Sequence, residues 1–291
     1  MRSQAEKAAF FRDLHTAPGC FVIPNPWDVG SARMLAGLGY EALATTSAGM
    51  AWNMGLGDSQ VGREQVMQHC QMLANATELP LAADLEDCYS DTPAGVAETI
   101  RLGAEAGLVG GSVEDWAPGR FGDEPRILPI AEAAERVRAA AEAARALPFP
   151  FMLCGRAENH LRGVTDLADT IKRLQAYQEA GADVLYAPGL PTLADIGSVL
   201  KEIDRPLNVL MGGATGMHTM AELQALGVKR VSLGAAFTNA AYSAFLRAAK
   251  EVKEQGTFTF REKNSPAPEF GRLFQLGTSR DANEGKARGS L

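Results

Sequence analysis

Short apolar runs alternate with longer amphipathic stretches along most of the chain. The runs are FVIP (21–24), ALATT (42–46), LPLAAD (79–84), VGGSVED (109–115), FPFMLCGR (149–156), ADVLYAP (182–188), RPLNVLM (205–211) and RVSLG (230–234). Each is too short for a helix and none alternates strictly with polar residues, the pattern of strands buried on both faces. Amphipathic segments lie between them at about 29–38, 62–76, 93–106, 128–146, 166–180, 192–202, 217–226 and 235–254. Several open on Thr, Asp or Pro and close on Gly: Thr92-Pro93 to Gly107, Thr165-Asp166 to Gly181, His218-Thr219 to Gly227. That is N-cap and C-cap chemistry at the correct ends. Eight strand–helix repeats close a (β/α)8 TIM barrel, with a doubly wound open sheet as the alternative. Residues 1–255 form the barrel. Residues 256–291, rich in Gly, Pro and charge, form a C-terminal extension that contacts another subunit or is disordered.

Composition narrows the function. A 291-residue chain with 46% hydrophobic residues can bury one large core. Its net charge of −7 comes without a Lys/Arg run, which argues against a nucleic-acid groove or an anionic membrane surface. Cys20, Cys70, Cys88 and Cys154 have neither CxxC spacing nor a compact framework, so free thiols in a reducing compartment are expected. The charged N-terminus and the lack of a spanning apolar stretch make a cytoplasmic protein the expectation.

Polar residues gather at the C-terminal ends of the runs, where a barrel carries its active site. Asn25, Trp27 and Asp28 follow the first run; Thr45, Thr46 and Ser47 close the second; Asp84, Glu86 and Asp87 end the third. Glu114, Asp115 and Trp116 end the fourth, and Arg156, Glu158, Asn159 and His160 the fifth; Tyr186 ends the sixth, and Asn208 lies within the seventh. Asp84, Glu86 and Glu114 can converge on one rim. Carboxylates so placed repel unless a cation intervenes, and hard oxygen donors suit Mg2+ or Mn2+. Capping or pairing with arginine is the reading for Asp87, Asp91 and Asp115. Arg156, after an apolar strand, suits a substrate carboxylate or phosphonate through its planar fork. The TTSAG stretch (45–49), which includes Ala48, offers backbone N–H groups to an anion. Asn208 is a further substrate-binding candidate. His15, His69 and His218 read as exposed, and Cys154 as core. The MGGATG stretch (211–216) lacks P-loop and dinucleotide spacing but remains a phosphate-binding candidate.

The runs PNPWDVGSARMLAGLGYEALATTSAG, LPLAADLEDCYSDTP, AGLVGGSVED and CGRAEN, in that order, resemble the isocitrate lyase/phosphoenolpyruvate mutase superfamily from about residue 20 to about residue 245. The resemblance implies a (β/α)8 barrel, a homotetramer or homodimer in which the last helix is exchanged between subunits, and a Mg2+ site. It matches Asp84 to the principal metal-linked Asp, Glu86 to a second acidic position and Glu114 to the Glu of an "ED" pair. Arg156 falls on the arginine that binds the substrate carboxylate, Thr46 and Ser47 on the substrate-holding loop, and Asp58 on an Asp that follows it. The chemistry implied passes through a pyruvate-like enolate steadied by the metal. Departures bear on the substrate. Residues 116–127 read WAPGRFGDEPRI, without the Cys, Lys or His of an isocitrate-lyase gating loop, and no mutase-type Lys-Thr-Asn-Ser loop is evident.

Three readings follow. The first is a Mg2+-dependent lyase that cleaves C–C bonds or decarboxylates a small 2-oxo or 2-hydroxy acid resembling oxaloacetate or methylisocitrate. Asp84, Glu86 and Glu114 then take the metal, with Arg156, Asp58 and Glu114 catalytic. The second is P–C bond chemistry, as a phosphonomutase or phosphonopyruvate hydrolase. The third is a non-catalytic barrel that binds a metabolite.

Overall fold

The computed structural model describes residues 2–212 and 216–278. Its main sheet runs in the order β1 (Phe21–Ile23), β10 (Arg230–Ser232), β9 (Leu207–Leu210), β8 (Val184–Tyr186), β7 (Met152–Arg156), β4 (Gly110–Glu114), β3 (Leu81–Ala83) and β2 (Leu43–Ala44). All neighbouring pairs in it are parallel. The two ends meet where the Ala44 N–H donates to the Pro24 carbonyl at 3.1 Å, just beyond β1. An open sheet would leave those ends far apart. The fold is thus an α/β barrel with a nearly closed parallel sheet.

The helices between strands fall close to the expected segments: α2 (Val29–Gly37), α4 (Arg63–Ala74), α5 (Pro93–Glu105), α6 (Ile130–Arg145), α7 (Leu167–Ala180), α8 (Leu193–Lys201), α9 (Met220–Leu226) and α10 (Ala236–Gln255). Their ends are set by local chemistry. Thr92 and Asp166 accept from backbone N–H groups one turn on, and Thr219 forms a capping box with Glu222. Gly181 and Gly227 close α7 and α9 in the left-handed region, at φ 109° and 101°, where a side chain would be strained.

Apolar packing has two layers. Side chains such as Leu43, Leu81, Leu153, Tyr177 and Leu185 fill the space between sheet and helices. Inside the barrel, Phe11 and Ala8 of α1 (Gln4–Thr16) pack with Phe21, Ile23, Met152 and Val184. The sequence pattern gave no sign of α1, of α3 (Ser47–Asn53), or of the small antiparallel pair β5 (Trp116–Ala117) and β6 (Arg126–Ile127).

Three expectations need correction or restriction. His15 and His69 are buried, not exposed, and His218 is half-buried. His15 packs edge-on against the Phe11 and Phe21 rings, and His69 lies among the buried positions of α4. Within the C-terminal extension, α11 (Ala267–Thr278) packs on α2 of its own chain and buries Leu273. Residues 279–291 of that extension, and the 213–215 part of the phosphate-binding candidate, lie outside the described residues.

Candidate active site

Strands β2, β3 and β4 present Ala44, Ala82 and Gly111 to a hollow of about 250 Å³ inside the C-terminal half of the barrel. Asn25, Thr46, Ser47, Asp58, Asp84, Ser112, Arg156 and Asn208 line the rest of it together with the apolar Ile23, Met152, Leu161 and Leu210. The small side chains leave room for a compact molecule, and the polar and charged ones set among apolar walls can orient an anion.

Asp84 is held by the turn opposite. Its backbone N–H donates to Thr45 Oγ1 at 3.0 Å, and Ser47 donates to Asp84 Oδ2 from its hydroxyl at 2.9 Å and its N–H at 3.3 Å. Thr46 caps α3 by accepting from the Gly49 N–H at 3.2 Å, which fixes Ser47 in that position. Two of the N–H groups expected to greet an anion are therefore already engaged within the protein. Thr46, Ser47 and Ala48 nevertheless all face the cavity, as does Asp58 at its exposed mouth.

Arg156 ends β7, opposite Glu114 of β4 in the parallel register. Its Nη1 lies 3.2 Å from Asp84 Oδ1 and 3.3 Å from Glu114 Oε2, and its Nε lies 2.5 Å from Glu158 Oε1. The guanidinium also lies over the Tyr186 ring, 5.1 Å from its centre. Burial disfavours the cation, but the Glu158, Glu114 and Asp84 carboxylates outweigh it and raise its pKa well above the ordinary arginine range. Burial raises the Glu114 carboxyl well above the usual range, with Arg156 pulling against it. One cation thus answers three carboxylates.

Glu86 points elsewhere. Arg120, in the segment joining β5 to β6, pairs with Glu86 and reaches Asp87 at 3.1 Å. It also donates to the Ser59 carbonyl at 2.6 Å, next to Asp58. Tyr89 donates its hydroxyl to Glu86 at 3.1 Å. Burial, and then the Asp84 charge, push the Glu86 carboxyl up to about 7 despite Arg120. The turn that aims these groups holds Glu86, Cys88 and Tyr89 at φ 50°, 56° and 54°, a costly region for side-chain-bearing residues. Asp87 and Asp115 pair with arginine as expected, but in the interior: Asp115 is buried against Arg173 at 3.0 Å and Tyr177 at 2.6 Å.

The three expected metal ligands lie near one another, each paired with an arginine: Asp84 and Glu114 with Arg156, Glu86 with Arg120. Among the described residues, no group of three or more His, Cys, Asp or Glu is arranged to hold an ion directly. Asp84 lines the cavity, while Glu86 and Glu114 lie behind its wall on Arg120 and Arg156. This donor set fits a hydrated Mg2+, which retains several waters and takes one or two carboxylates. Burial first and the Asp84 charge second raise the Glu86 carboxyl, and a cation beside the two would favour their charged forms.

A sequence profile of the phosphoenolpyruvate phosphomutase family matches residues 11–253. The chain belongs to this family. It is thereby a member of the isocitrate lyase/PEP mutase superfamily and an enzyme of the lyase/mutase type. This phosphomutase-family chain is 53% identical to a candidate lyase/mutase from Burkholderia cenocepacia J2315, whose crystal structure superposes with a TM-score of 0.88 over 93% of this chain and 96% of that one. It is 28% identical to 2-methylisocitrate lyase of Bacillus subtilis (strain 168) over 88% of this chain and 84% of that protein. It is 25% identical to an oxaloacetate acetylhydrolase solved with its product oxalate, at TM-score 0.82, covering 99% of each chain.

Two arginines that bear on the cavity are not marked by the sequence pattern: Arg230 lines it, and Arg120 holds Glu86 beside it. Residues 116–127 stand out in the sequence only by the Cys, Lys and His that they lack, which leaves Arg120 unmarked. Arg230, at the first position of β10, was read as part of a strand, yet it lines the cavity. Its place before the alternating V-S of RVSLG was the available signal, since every second residue of a strand shares a face.

Proposed function

We propose that this enzyme is a Mg2+- or Mn2+-dependent lyase that cleaves a C–C bond of, or decarboxylates, a small 2-oxo or 2-hydroxy carboxylic acid. The supporting observation is the adjacency of Asp84 and Arg156 on the wall of one cavity, 3.2 Å apart. A carboxylate that can carry a cation beside a guanidinium that can take an anion is what a 2-oxo acid needs at its two neighbouring oxygens. The kinship with a 2-methylisocitrate lyase and with an oxalate-forming acetylhydrolase supports the same substrate class.

Asp84 would hold the divalent ion, with Glu86 and Glu114 acting through its waters. Such an ion supplies Lewis acidity, worth several kcal/mol to negative charge that develops on the 2-oxo oxygen. The rest falls to the chain's own groups. Ser47 fixes the Asp84 rotamer, and Glu114 and Glu158 orient Arg156 toward the substrate carboxylate. Asp58 at the mouth moves the proton. Asn208, with Thr46, Ser47 and Ala48, shapes the binding surface. The Arg120 segment, tied to Ser59 and Asp87, restricts water entry.

Assembly belongs to the same proposal. Helix α10 buries only Thr238 and leaves Phe245 73% and Leu246 53% exposed. A second copy of the chain covers that face, in a homodimer or homotetramer, with exchange of α11 as one route. Cysteines free in the structure fit a reducing cytoplasm.

The test is a turnover panel with oxaloacetate, 2-methylisocitrate and phosphonopyruvate in millimolar Mg2+, corrected for the enzyme-free reaction. The proposal expects pyruvate or oxalate from a C–C substrate, lost with EDTA and with Asp84→Asn. Turnover of phosphonopyruvate alone would replace it with the P–C reading, which the family's phosphomutase profile favours.

A further inference from the structure

Arg230 is a buried cation without a carboxylate. Nε donates to Asn208 Oδ1 at 2.9 Å, Nη2 to Cys154 Sγ at 3.3 Å, and Nη1 faces His15 Nε2 at 3.3 Å. No ion pair to it is found among the described residues, whereas Arg156, Arg120 and Arg173 each have at least two. The neighbours cannot supply the missing charge. His15 Nδ1 is committed to the Phe11 carbonyl at 2.8 Å, and burial together with Arg230 holds its ring neutral down to about pH 3. Burial raises the Cys154 thiol, which stays protonated. A buried guanidinium with neutral partners only is costly, and an anion entering the cavity it lines would compensate it.

The cavity provides the path. Arg230 lines it together with Asn208, Ser232 and Cys154. It stands at the inner end, because it begins β10 in register with Phe21 and touches His15 of α1, whose Phe11 packs inside the barrel. Asp84 and Arg156 follow or end their strands on the mouth side. The hollow between has small walls at Ala44, Ala82, Gly111 and Ser112.

We propose that Arg230 is the specificity-determining receptor for a second carboxylate of the substrate, which reaches into the barrel while the 2-oxo or 2-hydroxy acid end lies at Asp84 and Arg156. The inference rests on the lyase reading for the position of that first end. It restricts the substrate to an acid with at least two carboxylates. Asn208 holds the guanidinium fork, and Ser232 in turn accepts from Asn208 Nδ2 at 2.9 Å.

The experiment compares calorimetric affinities, in Mg2+, for malate against 2-hydroxybutyrate and for 2-hydroxyglutarate against 2-hydroxyvalerate. Each pair differs in a terminal carboxylate. Charge-assisted hydrogen bonds of this kind predict a preference of about thirtyfold for at least one diacid in the unaltered protein. Arg230→Gln should bring that ratio below about threefold. Asn208→Asp, nearly isosteric, places a carboxylate on Arg230 and should do the same, which keeps the test alive if the first variant fails to fold. A folded variant of either kind that retains the original ratio overturns the role of Arg230. So does an unaltered protein that binds both series without preference, although the lyase reading would then survive. Failure to bind either series overturns both.

Discussion

Arg156 answers three carboxylates with one planar cation, so its shape matters as much as its charge. Arg156→Lys keeps the charge but cannot span Asp84, Glu114 and Glu158, and kcat/KM should fall by more than about tenfold, roughly 1.4 kcal/mol. An effect below that would return Arg156 to a purely structural role. His15 offers a second test at this scale. The folded protein holds its imidazole at about 3, by burial first and the Arg230 charge second, against about 6.5 in the unfolded chain. Its contribution is therefore intact above pH 6.5 and is lost progressively as pH falls toward 3. Urea denaturation between pH 6.5 and 4.5 should show His15→Gln losing stability less steeply than the unaltered protein, by up to about 1.4 kcal/mol per pH unit. Equal slopes would contradict a neutral buried ring. Asp84 and Arg156 were legible in the sequence because each charge follows directly on an apolar strand. Arg230 was legible only as sharing a face with Ser232; that this face looks into the hollow is fixed by the closed barrel. His15 was misread because the helix that buries it was not anticipated.

The segment between β5 and β6 is tied to the rest of the site through one side chain. Its Arg120 joins three separate stretches of chain: Glu86 and Asp87 after β3, the Ser59 carbonyl beside Asp58, and its own hairpin. Arg120→Met should loosen this tie, with amide exchange rising at least about tenfold in residues 116–127 and 57–61. Exchange unchanged in both segments would show that the hairpin stands on its own. The alternation of apolar runs and capped amphipathic stretches made the eight strand–helix units readable, with boundaries displaced by a few residues. The hairpin and α3 were not readable, because both are short and are fixed by contacts with distant parts of the chain. The positive φ values at Glu86, Cys88 and Tyr89 were equally hidden, since no glycine announces them.

For the whole molecule, the distribution of apolar surface points outward at one end. Helix α10 exposes Phe245 and Leu246, and Phe258 beyond it is 60% exposed. Clustered apolar surface of this kind marks an interface. Light scattering should give a mass of at least two chains, and Phe245→Glu should shift it toward one; a monomer at micromolar concentration would contradict the proposed assembly. The barrel as a whole was legible because closure needs only the count and order of the strands, and the hollow was not, because it depends on which small residues meet inside. The chemistry proposed for this enzyme converges on that hollow. The most direct test is a crystal structure with oxalate and Mg2+. The account predicts an ion on Asp84 and oxalate within hydrogen-bonding distance of Arg156, inside the barrel mouth. Asp84 still bound only to Ser47 and Arg156, with no ion beside it and the oxalate absent or elsewhere, would contradict it.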